Sequence, residues 1–221
     1  MDWEAFALSL RLAAWTTLVL AGMGLATARL LAWRRFPGRS VVEALVALPL
    51  VLPPTVLGFY LLALFSPEAV LGRLFLRLTG DTLAFSFAGL LLASVVYSLP
   101  FAVQPMLRAF EAVPAEMREA AWLSGLGRWA TFLRVELPLA WPGVLSGLVL
   151  AFAHTMGEFG VVLMVGGNIA GETRTVSIAI YDRVQAFDDA AAARMSALLL
   201  LFAVLTIGAV FALERRRRDH A

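Results

Sequence analysis

Glu119-Ala120-Ala121-Trp122-Leu123-Ser124-Gly125, followed after nine residues by Val135-Glu136-Leu137-Pro138, is a charged and partly polar island between two long apolar runs. Its charges are costly in lipid, so in an apolar chain such a segment must leave the bilayer and meet something in water. Pro114 suits the first turn of a helix, and Glu116 and Glu119 lie toward that helix's positive end. Gly125 or Gly127 supplies a left-handed residue where the helix stops. A second short helix, roughly Arg128 to Val135, is expected to run up to Pro138, which has no N–H to donate. The pattern therefore predicts two short helices hinged at glycine. Ala120 and Ala121 would let the first lie deep in a groove of a partner, with Glu119 placed to pair with a partner's basic side chain.

The rest of the chain explains why this island stands apart. Of 221 residues, 61% are hydrophobic and 15% charged, and mean hydropathy is +0.82, far more apolar than a soluble domain. The composition is that of an integral membrane protein. The 18 basic residues are all arginine. A phosphate loop needs its lysine, so ATP chemistry of that kind belongs to another chain. There is no cysteine, which excludes disulfides and thiolate metal sites.

Uncharged or nearly uncharged runs predict five spans, at about 6–31, 44–67, 82–107, 139–165 and 195–213. The island fills 108–138, and an outer loop with a short helix fills 166–189. The amino end lacks the basic region of a signal peptide, because Asp2 and Glu4 stand there. Twelve of the eighteen arginines, at 29–39, 108–134 and 215–218, fall on one side if the amino terminus is outside. Arginine bias then makes the island and the tail 214–221 cytoplasmic, the tail acting as a topology anchor.

Inside the runs, Pro49, Pro53, Pro54, Pro100 and Pro105 predict bends that either line a path or shape packing. Gly143, Gly147 and Ala151 form a small-residue face for a close neighbour in this chain or in a second copy. His154 and Glu158, four residues apart, are expected on one side of the fourth span. They form either a gate or proton relay, or a structural pair in which Glu158 is satisfied by His154 or by a neighbouring arginine. With only His220 besides, no metal site is expected. Gly166-Gly167-Asn168 is expected to end that span, and Val176, Ile180, Val184 and Phe187 to share one side of a short helix closed by Asp188 and Asp189.

The motif E-A-A-x-x-x-G-x9-hydrophobic-x-L-P, carried by Glu119, Ala120, Ala121, Gly125, Val135, Leu137 and Pro138, resembles the cytoplasmic coupling loop of type I ABC importer permeases. The stretches Asp81 to Ala109 and Ala151 to Asp182, above all the run from His154 to Ile169, are similar to the molybdate/tungstate permease subunits of that superfamily. Sulfate permeases share parts of the pattern. The resemblance implies an all-α membrane fold of about five transmembrane helices with a coupling-helix loop. It also implies a homodimer of permeases in the bacterial or archaeal inner membrane, a cytoplasmic ATPase dimer holding ATP and magnesium, and an extracytoplasmic molybdate- or tungstate-binding protein. Membrane lipid is the surrounding solvent, and no nucleic-acid partner, no cofactor in this chain and no enzymatic activity of its own are expected. Glu119, Ala120, Ala121, Gly125, Leu137 and Pro138 would serve ATPase coupling. No arginine clamp for an oxyanion is visible in the linear order, so substrate residues are not assigned. Two readings from other classes remain beside this one: an ion-coupled secondary transporter using Glu158 and His154, and a membrane scaffold whose loop docks a cytosolic protein.

Overall fold

The computed structural model describes the backbone of residues 1–218 and the side chains of residues 1–208. The four basic side chains at 215–218 and the terminal residues 219–221, His220 among them, lie outside the described residues, so the expected tail anchor does too. All regular structure among the described residues is helical.

The first helix, α1 (Trp3–Trp33), begins where the Asp2 carboxylate accepts the N–H of Ala5 at 3.0 Å. Its 31 residues extend about 46 Å, enough to cross a bilayer with an end to spare. The run 44–67, expected as one span, is two helices: α2 (Arg39–Val51) and α3 (Pro54–Phe65), meeting at 115°. Leu52 and Pro53 are extended between them. A residue before proline is pushed out of the α region, and Pro54 can only begin the next helix, so two adjacent prolines break the run instead of merely bending it.

Between Ser66 and Asp81 stands a helix absent from the sequence-based expectation, α4 (Val70–Thr79), closed by Gly80. Its apolar residues Val70, Leu74 and Leu78 are all more than half exposed. The next helix, α5 (Phe87–Glu111), starts at Ser86, whose hydroxyl accepts the N–H of Gly89, and carries both Pro100 and Pro105.

The polar island then forms α6 (Ala115–Leu123) and α7 (Arg128–Thr131), followed by a π-helical turn over Phe132–Glu136 and α8 (Leu137–Gly157). The expected stop at Pro138 does not occur. Leu137 donates to the Phe132 carbonyl five residues back, and this wider turn makes room for the proline ring that would otherwise crowd a tighter one. From Arg128 to Gly157 the chain is one continuous helical rod of 30 residues.

The fourth span is shorter than expected, because the helix ends at Gly157 and Glu158 is extended at ψ 133. A separate short helix, α9 (Gly160–Gly166), packs against α3, with Gly58 and Gly160 at the points of approach to Met164 and Pro54. Thr173 then folds the G-G-N-I segment back on itself, donating to the Gly166 carbonyl at 2.7 Å and accepting from Ile169 N–H at 3.1 Å. The short helix α10 (Val176–Gln185) is tied to α1 by a 2.8 Å bond from Val176 N–H to Ser9. Its buried residues are Val176, Ile178 and Ala179. Of the expected apolar side, Val176 is buried and Ile180 packs against the same cluster, while Val184 is half exposed and Phe187, beyond the helix end, almost wholly so. Asp188 accepts the N–H of Ala191 and starts α11 (Asp189–Arg218).

The bundle is α1, α5 and α8, joined through Leu20, Ala28, Leu31, Val103, Met106 and Phe110. The small-residue face of α8 meets α5 of the same chain: Gly143 lies against Ala109 and Gly147 against the Ala102 carbonyl. Outward, large apolar residues such as Leu18, Leu45, Val51 and Leu200 stay exposed, as lipid-facing helices require.

Candidate functional site

The loop that joins α5 to α8 is held by local rules first. At the end of α6, Leu126 N–H bonds to the Ala121 carbonyl at 3.0 Å and Gly125 N–H to the Trp122 carbonyl at 2.9 Å. These two bonds close the helix around a left-handed residue, and Gly125 stands there at φ +81. Gly127 is extended and precedes α7. Of the two alanines expected on the docking face, only Ala120 is exposed. Ala121 is 6% exposed and packs inward, because α6 must bury one side against its own chain. Glu119 is exposed beside Ala120, and Leu123 is 90% exposed. Leu137 packs partly into the bundle core and Pro138 is exposed at the first turn of α8, so both belong to the rod and not to α6.

Behind α6 lies a cluster that the linear order hides. Glu136, in the π-helical turn, is fully buried. Its two oxygens take separate arginines: Arg29 Nε of α1 at 2.6 Å and Arg118 Nε of α6 at 3.0 Å. Arg29 also lies over the Phe132 ring at 4.7 Å, and Arg118 over Trp33 at 3.7 Å and Trp122 at 5.0 Å. A carboxylate removed from water is tolerated only with such partners. One side chain thus ties α1, α6 and the base of α8 together. The signal was a glutamate at the open position of the motif, between two apolar residues and directly before Leu137-Pro138.

The pair expected on one face of the fourth span is not a pair. His154 Nδ1 lies 3.0 Å from Ser98 Oγ, and its ring stacks on Phe101 at 3.9 Å. Glu158 accepts from Ser94 Oγ at 2.9 Å, while its second oxygen is buried without a partner. The i,i+4 rule holds only while the helix continues, and it ends at Gly157. Neither His154 nor an arginine satisfies Glu158. Two serines one turn apart on α5 take the two groups separately, with Thr155 bonded to Ser98 as well at 2.9 Å. No cluster of three metal-ligating side chains is assembled among the described residues.

An all-helical membrane chain, with a polar loop presented at the arginine-rich end of the bundle and clamped to two of its spans, is the architecture of a transporter's membrane subunit. The chain belongs to the binding-protein-dependent transport system inner membrane component family, whose model matches residues 19–219. It is 48% identical to the molybdenum transport system permease protein ModB of Azotobacter vinelandii, over 97% of this chain and 95% of that one. It is 36% identical to the Escherichia coli K12 protein of the same name, over all of this chain and 96% of that one. The sulfate transport system permease protein CysT of the same strain is 35% identical over 87% of this chain and 69% of its own length. Among solved structures, the bacterial alginate ABC transporter in complex with its alginate pentasaccharide-bound periplasmic protein has a chain that superimposes with a TM-score of 0.77 at 18% identity, over 96% of this chain and 78% of that one. The fold is that of an ABC importer permease, and the protein is an integral inner-membrane component of such a transporter.

Proposed function

We propose that this permease forms, as a homodimer, the membrane path for molybdate or tungstate, handed over by an extracytoplasmic binding protein and driven by a cytoplasmic ATPase dimer that holds ATP and magnesium. The observation that carries the substrate is the 48% identity, over nearly the whole of both chains, with a molybdenum permease. The Escherichia coli relatives point the same way through coverage: at 36% and 35% identity, the molybdenum permease matches over nearly all of both chains and the sulfate permease over less of each. The observation that carries the ATPase is the exposed Glu119–Ala120–Leu123 side of α6, set on a helix whose other side is locked by Arg118. ATP binding closes the ATPase pair, α6 moves with its groove, and the two bundles rock to open toward the binding protein. A path that held the ion tightly would release it slowly, so selectivity rests with the binding protein. A proton-coupled reading would use His154 and Glu158 as one site, and their separate serine partners argue against it.

Uptake by the reconstituted assembly should be inhibited far more by molybdate or tungstate than by equal sulfate, and the reverse order moves the chain to the sulfate branch. Orientation has its own test. In intact cells Asp81→Cys should react with an impermeant thiol reagent and Ser124→Cys should not, because α5 separates the two positions across the membrane. Labelling in the opposite order inverts the topology.

The docking role predicts a third result. Gly125→Val places a β-branched residue at φ +81, costing about 1–2 kcal/mol locally. The space around Gly125 is open, so no clash spreads into the bundle. Gly125→Val and Ala120→Asp should both insert normally yet lose co-purification with the ATPase. Normal co-purification and transport by both variants would remove α6 as the coupling element.

A further inference from the structure

Beside the Glu136 cluster, α1, α6 and α7 enclose a cavity of about 800 Å³, and we propose that it is a binding site for an anionic phospholipid of the arginine-rich leaflet. Four arginines line it, Arg29, Arg34, Arg118 and Arg128, against one carboxylate, Glu136. That carboxylate is fully buried and already shared between Arg29 and Arg118, so three positive charges are left in excess. Arg34 and Arg128 make no ion pair among the described residues. Arg29 and Arg118 give Glu136 only their Nε atoms, and their terminal nitrogens have no protein acceptor among the described residues. Stacking on Phe132, Trp33 and Trp122 holds both guanidinium planes in place. A planar donor fork fixed before binding matches the oxygens of a phosphate.

The cavity's polarity is sorted along α1, and this selects the ligand. Gly22, Leu25 and Ala26 form its apolar part, and Arg29, Trp33 and Arg34 follow toward the basic end, with Gly22 and Arg34 about 18 Å apart along the helix. If α1 crosses the membrane, that direction is the bilayer normal. A phospholipid is sorted the same way, with acyl chain, glycerol and phosphate in order. Trp33, Trp122 and Trp129 stand at the headgroup level, where tryptophan is favoured. A free inorganic oxyanion, phosphate or molybdate, would leave the apolar part unused. A bound lipid here would brace α6 against α1 from the side opposite the ATPase and make coupling sensitive to the charge of the membrane. Only the identity of the leaflet rests on the proposed orientation. Binding in micelles is independent of it.

The test uses the delipidated whole transporter in a neutral detergent, titrated with phosphatidylglycerol and in parallel with phosphatidylcholine, with bound lipid counted by native mass spectrometry. Phosphatidylglycerol should bind and phosphatidylcholine should not. The exposed pair Arg34→Gln with Arg128→Gln should weaken binding about 25-fold, about fivefold for each arginine near a charged lipid surface. Arg34→Lys with Arg128→Lys should largely restore it, showing that the loss is of charge and not of fold. Ala26→Phe, which fills the apolar part and touches no charge, should weaken lipid binding as well. The proposal is overturned if both lipids bind alike or if the glutamine pair binds phosphatidylglycerol like the unmutated protein. It is equally overturned if Ala26→Phe has no effect and inorganic phosphate or molybdate competes, which makes the cavity a plain oxyanion site. Binding to the isolated permease but not to the whole transporter would mean that a partner subunit covers the cavity, and that result also rejects the lipid.

Discussion

Glu136→Ala should destabilise the permease by about 3 kcal/mol and abolish ATP-driven uptake while leaving membrane insertion intact. Breaking a buried ion pair by removing one partner typically costs about 3–5 kcal/mol, because the other partner is left charged and uncompensated. Here two arginines are left, but the Arg29 side chain is 33% exposed and water can reach it, which places the loss at the low end of that range. Arg118, 16% exposed, carries the larger share. Stability and coupling can be separated. Replacing all three members by apolar residues, Arg29→Met, Arg118→Met and Glu136→Leu, should recover most of the melting temperature, since the penalty of unpaired charge disappears with the charges. It should not recover transport if the cluster is what makes α6 and α1 move together. Melting in detergent and uptake in proteoliposomes read the two quantities. Full transport by the apolar triple variant would show that the cluster is merely structural, and normal stability of Glu136→Ala would show that it is not formed.

What could be foreseen from the residues was whatever obeys a local rule. Pro114 and Gly125 bound α6 within two residues, because a proline fixes φ and a left-handed position favours glycine wherever they stand. Four of the five expected runs contain a helix long and apolar enough to cross a membrane, legible from length and polarity alone, and the fifth, 44–67, is the broken pair α2 and α3. What was not legible depends on partners far along the chain. Arg29 and Glu136 are 107 residues apart, and nothing in either neighbourhood points to the other. Glu158 looked helical because His154 lies one turn before it. The helix ends there because α9 packs against α3 and the carboxylate reaches Ser94 on α5. Pro53-Pro54 announced a bend, but the 115° between α2 and α3 comes from where α3 finds its neighbour α9. Ala121 faced the wrong way in the sequence reading for a similar reason. Two adjacent alanines on a helix point about 100° apart, and only packing decides which one is inside.

If α6 couples an ATPase to the membrane as proposed, α5 and α8, from which it hangs, carry its stroke, and Gly147→Leu should disrupt them at a cost of about 3 kcal/mol. A Cβ at Gly147 would stand 2.5 Å from the Ala102 carbonyl oxygen and 3.3 Å from its carbon. No side chain can rotate away to relieve that contact, because the obstacle is the backbone of α5. Gly143, a turn earlier, meets Ala109 and the Pro105 carbonyl in the same way, and Ala151, a turn later, is fully buried. Overpacking costs about 1–3 kcal/mol where neighbours can shift, and a backbone-to-backbone contact belongs at the top of that range. The functional consequence follows from connectivity. Because α6 hangs from the end of α5 and the start of α8, a displacement of α6 reaches the bundle as one stroke only while the two helices are locked. Parting them lets each yield separately. Gly147→Leu should therefore lower the melting temperature and reduce uptake more than it reduces ATPase co-purification, since the exposed face of α6 is untouched. Gly22→Ala is the control: no atom lies within 4 Å of its Cβ, and alanine is the better helix former, so the melting temperature should not fall. If Gly147→Leu melts and transports like the unmutated protein, the close approach of α5 and α8 is not part of the coupling stroke.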